Sequence, residues 1–306
     1  MALSSRVQIY LNGEIVNRDA ARIDPFDRGF LFGDGVYEGL RAFGGHIVGM
    51  EGHIARLAGG LRDAGIPWDA GRLRDVCEKV LAANGLADAF IYFQATRGVP
   101  APGEPVRSRV LTGEVRPTIF AYATPTPGLG VYTSPPTKSA ITTPDVRWLR
   151  GLIKSTSLMG SVLAANEASH ANADDAILIR TMVGGERLAG EGTSANLVAV
   201  IDRAGAAGTG AGELEIVTPP LDGAPILAGV TRDILLRGAA RRGIEIRVRN
   251  LHEHELLKAR EIMLCGTLTM VTAITRLNGV EVGDGAAGQQ ARRLLGVLVD
   301  EIRTGA

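Results

Sequence analysis

VRWLRGLIKSTSLMGSVLAANEA, residues Val146 to Ala168, holds a single lysine in a chain that hardly uses lysine. Of the 33 lysines and arginines only four are lysine: Lys79, Lys138, Lys154 and Lys258. Lys154 stands between an apolar, strand-like run and a stretch of small residues that reads as a helix over Leu158 to Ser169. An arginine cannot lose its proton in a protein, whereas a buried lysine can, and its neutral amine is a nucleophile. The segment therefore predicts an amine delivered to a covalent site just ahead of a helix.

The rest of the chain sets the frame. At 306 residues, 45% apolar and 22% charged, it has material for one large or two medium cores. Net charge is zero with both signs interspersed, which points away from a nucleic-acid face and from a membrane surface. Cys77 and Cys265 sit in apolar contexts at no metal or redox spacing, and MALSSRVQ shows no apolar signal core; a reduced, cytoplasmic protein is expected.

Periodicity supplies the elements. VQIYLNGEIVN alternates around Asn12-Gly13, a hairpin signal. Ile54, Leu57 and Leu61 share a helical face, and Asp69 could cap a helix with Leu73, Val76, Cys77, Val80 and Leu81 inward. Phe90 to Gly98 and RPTIFAYATP read as strands, separated by a Pro/Gly/Arg loop, Val99 to Arg116, long enough to carry function. Thr124 to Pro144, broken by prolines and glycines, reads as a linker between domains at 1–123 and 145–306. Beyond it, strands are predicted at 176–180, 197–201, 244–248 and 261–265. Helices are predicted at 230–242, ended by Gly243, and at 289–303. Residues 202–213 read as a surface turn. Strand runs in one half and mixed elements in the other give two α+β domains with a cleft between them.

Four local clusters accompany Lys154. Arg56 falls off the apolar stripe of its helix, so it either points into a cleft or is a solvated arginine. Glu191 enters a small-polar turn with Ser194 and Asn196 ahead of an apolar strand; it is either a partner for a cationic ring nitrogen or part of a locally bonded turn. Val230 and Thr231 open a helix whose first N–H groups favour an anion, with Thr231 as a plain N-cap the alternative. Thr267 ends a strand in CGTLTMV. Together, an amine, a carboxylate, an arginine, a helix start and a threonine suit a phosphorylated pyridine aldehyde. Gly33 to Gly39 has the wrong spacing for a dinucleotide fingerprint. His252 to Glu255 lacks a second ligand pair, reads as a helical turn, and leaves no metal site expected.

These blocks, from YLNGEIV through FDRGFLFGDGVYEGLR, HIARL, IYFQATRG, RWLRGLIKS, EGTSAN and PPLDGAPILAGVTRD to CGTLTMV, resemble the class IV aminotransferases, the fold-type IV pyridoxal-phosphate enzymes. The resemblance covers nearly the whole chain. It implies a two-domain α+β subunit, a homodimer, and pyridoxal 5'-phosphate in the interdomain cleft. Lys154 would bind the cofactor's aldehyde and shuttle the proton, and Glu191 would pair with the ring nitrogen. Arg56, Val230, Thr231 and Thr267 would hold the phosphate, with Ser194, Asn196 and Leu227 also at the cofactor. Tyr37, Arg41, Tyr92 and Leu268 would face the substrates, an amino donor and a 2-oxo acid.

Within the family, IYFQATRG, RWLRGLIKS and Met159 look like D-amino-acid transaminases, whereas Gly39 and Arg41 in VYEGLR look like branched-chain and (R)-amine transaminases. The family's carboxylate-gripping arginine and histidine fall here at about Pro102 and Glu104, neither of them a cation. The departure leaves Arg41, Arg107 or Arg109 as substitutes. The leading expectation is a D-amino-acid transaminase that also accepts (R)-amines. A branched-chain L-amino-acid transaminase and an aminodeoxychorismate lyase are the alternatives.

Overall fold

The computed structural model describes residues 7–203 and 214–306, so most of the turn read at 202–213 lies outside the described residues. The chain divides into two compact units. The first runs to Leu129 and includes Ile153–Leu158; the second comprises Gly130–Leu152 and Met159–Ala306.

In the first unit β1 (Gln8–Leu11) and β2 (Glu14–Asn17) form the hairpin expected at Asn12-Gly13. Both turn residues take positive φ, 50° and 108°, which suits a tight antiparallel turn. A short helix α1 (Arg28–Phe32), capped by Asp27, ends at Gly33 and feeds β3 (Gly35–Phe43) and β4 (His46–Ile47). With β5 (Ala89–Thr96) and β6 (Thr118–Pro125) they make an antiparallel sheet in the order β2-β1-β6-β5-β3-β4. Helices α2 (Met50–Ala64) and α3 (Leu73–Asn84) cover one face. The predicted stripe of Leu73, Val76, Cys77, Val80 and Leu81 is buried there, against Ile91, Phe93 and Ala121. Strict alternation along β5 and β6 puts Tyr92, Gln94, Phe120 and Tyr122 on the opposite, half-buried face.

The second unit is built on one ten-stranded sheet. Its strands are β7 (Thr137–Pro144), β8 (Asp175–Thr181), β9 (Arg187–Gly192), β10 (Asn196–Asp202) and β11 (Leu214–Thr218). They are followed by β12 (Arg247–Val248), β13 (Leu251–His252), β14 (Glu261–Gly266), β15 (Met270–Leu277) and β16 (Val280–Glu281). The path β10-β14-β15-β7-β8-β9 curls back on itself, because Glu191 on β9 pairs with Asn196 on β10. The barrel-like closure is thus made at two of the predicted site residues. Helices α4 (Met159–His170), α5 (Val230–Arg241), α6 (Glu253–Leu256) and α7 (Gln289–Arg303) accompany the sheet. Gly243 follows α5 at φ 67°, as expected. The His252 to Glu255 motif is the start of α6, where the Glu255 carboxylate accepts from His252 N at 2.9 Å.

Two expectations are corrected. The stretch 124–144 is not linker throughout: its end is β7, paired in parallel with both β15 and β8. Only Ala140 and Thr143 of β7 are buried, so a strand with two sheet neighbours carries almost no apolar pattern. The strand predicted over 244–248 shrinks to two residues at its end.

Candidate active site

In the first unit, residues 153–157 run beside the start of β3. Tyr37 N donates to Lys154 O at 2.9 Å, Thr156 N donates to Gly35 O at 3.0 Å, and Val36 and Ser155 form an antiparallel bridge. The backbone on both sides of Lys154 is therefore pinned. Its half-buried Nζ lies 4.2 Å from the centroid of the Tyr37 ring. Tyr37 stacks on Tyr92 at 5.6 Å, and Tyr92 on Tyr122 at 5.3 Å. Burial, with Tyr37 and Tyr122 alongside, pushes the Tyr92 phenol above its ordinary range, and its hydroxyl donates to Gln94 Oε1 at 2.7 Å. Tyr37 and Tyr92 thus share one aromatic wall with the amine. Close approach depends on Gly33, where a Cβ would come within 2.4 Å of Ser157 Oγ.

One residue after Tyr37, Glu38 points to the other face of β3 and is fully buried. Arg56 grips it as a fork, Nε to Oε1 at 2.9 Å and Nη2 to Oε2 at 2.6 Å. His53 Nδ1 lies 2.7 Å from the same Oε2; a carboxylate only accepts, so that nitrogen carries the proton. Burial alone would raise the Glu38 pKa, but Arg56 and then His53 hold it down to about 2. Burial pushes His53 down, and Glu38 opposes that. Sequence reasoning singled out Arg56 without its two partners, although a charged residue inside the buried run VYEGL was a signal.

Arg41, one of the candidate carboxylate ligands, lies on β3 opposite Phe90. It is buried at 3% exposure, donates from Nη2 to Pro127 O at 2.7 Å, and stacks over Phe43 at 4.6 Å. Beside Gly39 stands Phe90, whose ring edge would sit 3.0 Å from a Cβ there. Glu104 folds its own loop: Oε1 accepts from Thr112 N at 2.6 Å and Gly113 N at 2.8 Å, and Oε2 accepts from Ala101 N at 3.2 Å. Arg107 stacks over Phe32 at 5.1 Å, and the Arg109 carbonyl accepts from Arg28.

In the second unit Glu191 is the centre. It is buried at the end of β9. Its Oε1 accepts from Arg147 Nη1 at 2.6 Å, its Oε2 from Asn196 Nδ2 at 3.1 Å, and both oxygens lie within 3.3 Å of Leu227 N. Asn196 also donates to Leu227 O at 3.0 Å, locking the PILAG stretch to β10. Two residues on, α5 begins with Gly229 as its cap residue and no side-chain cap bond. Thr231 is therefore not the N-cap but the second helical residue, and the first N–H groups are those a helix leaves unpaired. Gly229 is required by proximity, since a Cβ there would lie 1.8 Å from Asn196 Oδ1. Of the other predicted residues, Ser194 is exposed in the β9–β10 turn. Thr267 and the half-exposed Leu268 form the β14–β15 turn, which Met270 closes at φ 52°. Arg147 was missed; nothing in RWLR distinguishes its two arginines.

Comparison with known proteins gives this arrangement its setting. The profile of the family described as amino-transferase class IV matches residues 35–277. D-alanine aminotransferase of Listeria monocytogenes is 33% identical over 97% of this chain and 96% of its own. That of Staphylococcus haemolyticus is 33% identical over 94% and 95%. Among solved structures, the branched-chain amino acid aminotransferase of Escherichia coli superposes with a TM-score of 0.79 at 24% identity, covering 94% of this chain and 91% of that one. A hypothetical aminotransferase from Mycobacterium tuberculosis in its PLP-bound form gives 0.78 at 22%, covering 98% and 100%. The chain belongs to the class IV aminotransferases, as a pyridoxal-phosphate-dependent transaminase of fold type IV.

Proposed function

We propose that the chain moves the amino group of a D-amino acid to a 2-oxo acid such as pyruvate or 2-oxoglutarate, working as a homodimer in the cytoplasm. The observation that supports the donor class is the alignment with D-alanine aminotransferases over nearly the full length of both chains.

The residues present fit the cofactor. They offer a half-buried amine over an aromatic ring, a buried carboxylate, and a helix start without a side-chain cap, suited to a phosphate. When bound, the cofactor supplies a carbonyl that condenses with amines and a ring that withdraws electrons from the bond being broken. Lys154 Nζ is the amine that would hold that carbonyl and would carry the proton moved in the exchange. Glu191, its carboxylate fixed by Asn196 and Leu227 N, would keep a proton on the ring nitrogen. Arg56, the N–H groups of Val230 and Thr231, the Thr231 hydroxyl and Thr267 would hold the phosphate. Tyr37 and Tyr92 wall the substrate.

A second donor class, (R)-primary amines, is favoured by one observation: the carboxylate of Glu104 is spent on its own loop, and no cation stands at 102 or 104. The homodimer is supported by a run of exposed apolar side chains in the second unit, including Val146 (67%), Leu149 (74%) and Met159 (70%). Among the described residues no helix is long and apolar enough to cross a membrane.

The test is a panel of D- and L-amino acids with (R)- and (S)-amines, read by bleaching of the cofactor's visible band. Preferential bleaching by D-amino acids supports the reading, and response to L-amino acids alone overturns it. Purified protein should be yellow, and Lys154→Ala should lose turnover; a Lys154→Ala protein that still yields a borohydride-reducible link to the cofactor removes Lys154 from its role.

A further inference from the structure

The strongest unassigned feature is the charged chain behind Glu191. Arg147 uses every nitrogen of its guanidinium: Nε on Asp145 Oδ1 at 2.9 Å, Nη2 on Asp145 Oδ2 at 3.0 Å and Pro225 O at 3.2 Å, and Nη1 on Glu191 Oε1 at 2.6 Å. Asp145, only 1% exposed at its side chain, is held from the other side by Arg180 at 3.0 Å. Arg180 Nη2 also donates to the Arg147 carbonyl at 3.0 Å. Room for the Arg147 stem comes from Gly160 at the start of α4, where a Cβ would lie 2.9 Å from Arg147 Cγ. A planar fork bridging two carboxylates is a geometry lysine cannot reproduce.

Two cations then address one carboxylate: Arg147 at Oε1 and, on the reading proposed above, the cofactor's ring nitrogen. We infer that Arg147 is a positioning residue: anchored on Asp145, it takes Oε1 of Glu191 and keeps that carboxylate a weak base, so that the proton shared with the ring nitrogen stays on nitrogen. A carboxylate beside a fixed guanidinium prefers its charged form, and a pyridine facing a stable anion prefers to be pyridinium. The groups facing Glu191 are consistent with this. Besides Arg147 they include the neutral donors of Asn196 and Leu227 and, on α5, the cation of Arg232, which is buried, bonded to Thr218 Oγ1 and Pro219 O, and close enough to interact with the Glu191 charge. Asp145 is the nearby anion, and it is matched by Arg180. The inference rests on Glu191 as the partner of the ring nitrogen, and its test separates the two claims.

The readout is the pH midpoint of the visible band of the loaded protein, which is low when the ring nitrogen is protonated and rises when it is not. Arg147→Met should raise the midpoint by about one unit or more, the scale on which a close charge shifts an acid–base equilibrium. Arg147→Lys keeps a cation beside Glu191 without the bridging fork and should restore part of the difference. Asp145→Asn leaves Glu191 as the sole carboxylate on Arg147, so the midpoint should stay or fall even if the protein becomes less heat-stable. A purely structural role for Arg147 predicts that Met and Asn variants lose stability or cofactor affinity together with no opposed shift, and that result overturns the inference. If Arg147→Met is too unstable to load, the pair Arg147→Lys and Asp145→Asn still decides it, since a rise in the Asn variant contradicts it. Glu191→Gln is the control: a raised midpoint there with none in Arg147→Met sinks the inference alone, whereas no change in Glu191→Gln sinks the Glu191 reading with it.

Discussion

Arg56 meets Glu38 as a fork on a carboxylate, two bonds of 2.9 and 2.6 Å with Glu38 entirely buried. The direction of the arginine is therefore set by an anion on the back of β3. Glu38 also binds His53, so three titratable side chains on β3 and α2 form one polar unit under the apolar stripe of Leu57 and Leu61.

Acid stability should report on that unit. The Glu38 pKa is depressed from 4.5 to about 2, so its contribution is complete above pH 4.5 and is lost as pH falls toward 2. Glu38→Gln should lower the unfolding temperature at pH 7, the loss being about 3 kcal/mol for a broken buried pair. The gap to wild type should narrow below pH 4.5. Melting curves that stay parallel from pH 7 to 3 would contradict this.

Arg41 was expected to trap the substrate carboxylate, and its surroundings argue for a different part. With its guanidinium on Pro127 O and over Phe43, Arg41→Ala should lower the unfolding temperature, and kcat/KM should change equally for a D-amino acid and an (R)-amine. A tenfold loss confined to the amino acid would return Arg41 to the substrate.

Gly229→Ala forces a methyl group against Asn196 Oδ1. Because Asn196 also holds Glu191 and Leu227, the variant should lose cofactor affinity together with about 1–3 kcal/mol of stability. In a double-mutant cycle, Asn196→Ala should relieve part of the Gly229→Ala penalty. Strict additivity would show that the two residues do not touch.

Glu104 gathers three backbone N–H groups into the turn of its loop. Glu104→Ala should speed limited proteolysis between residues 99 and 116 while leaving the unfolding temperature nearly unchanged. Unaltered cleavage would mean that the loop is held by other contacts.

The sequence by itself determined the parts whose chemistry is local. Asn-Gly between alternating runs, the stripe from Leu73 to Leu81 and a glycine after α5 are each readable because the cause lies within a few residues of the effect. The roles assigned to Glu191 and Arg56 followed from resemblance. Their partners did not, since Arg147 is 44 positions from Glu191 and Arg56 is 18 from Glu38. Tertiary structure alone decided which cation meets which carboxylate, because a buried charge must find its counterion wherever the fold brings one near. It decided β7 as well, a strand defined by hydrogen bonds to two parallel neighbours and not by any apolar rhythm of its own. Arg41 shows the same limit from the other side: its motif marked it as a candidate carboxylate ligand, and only packing revealed that it is buried over Phe43 with its guanidinium on Pro127 O.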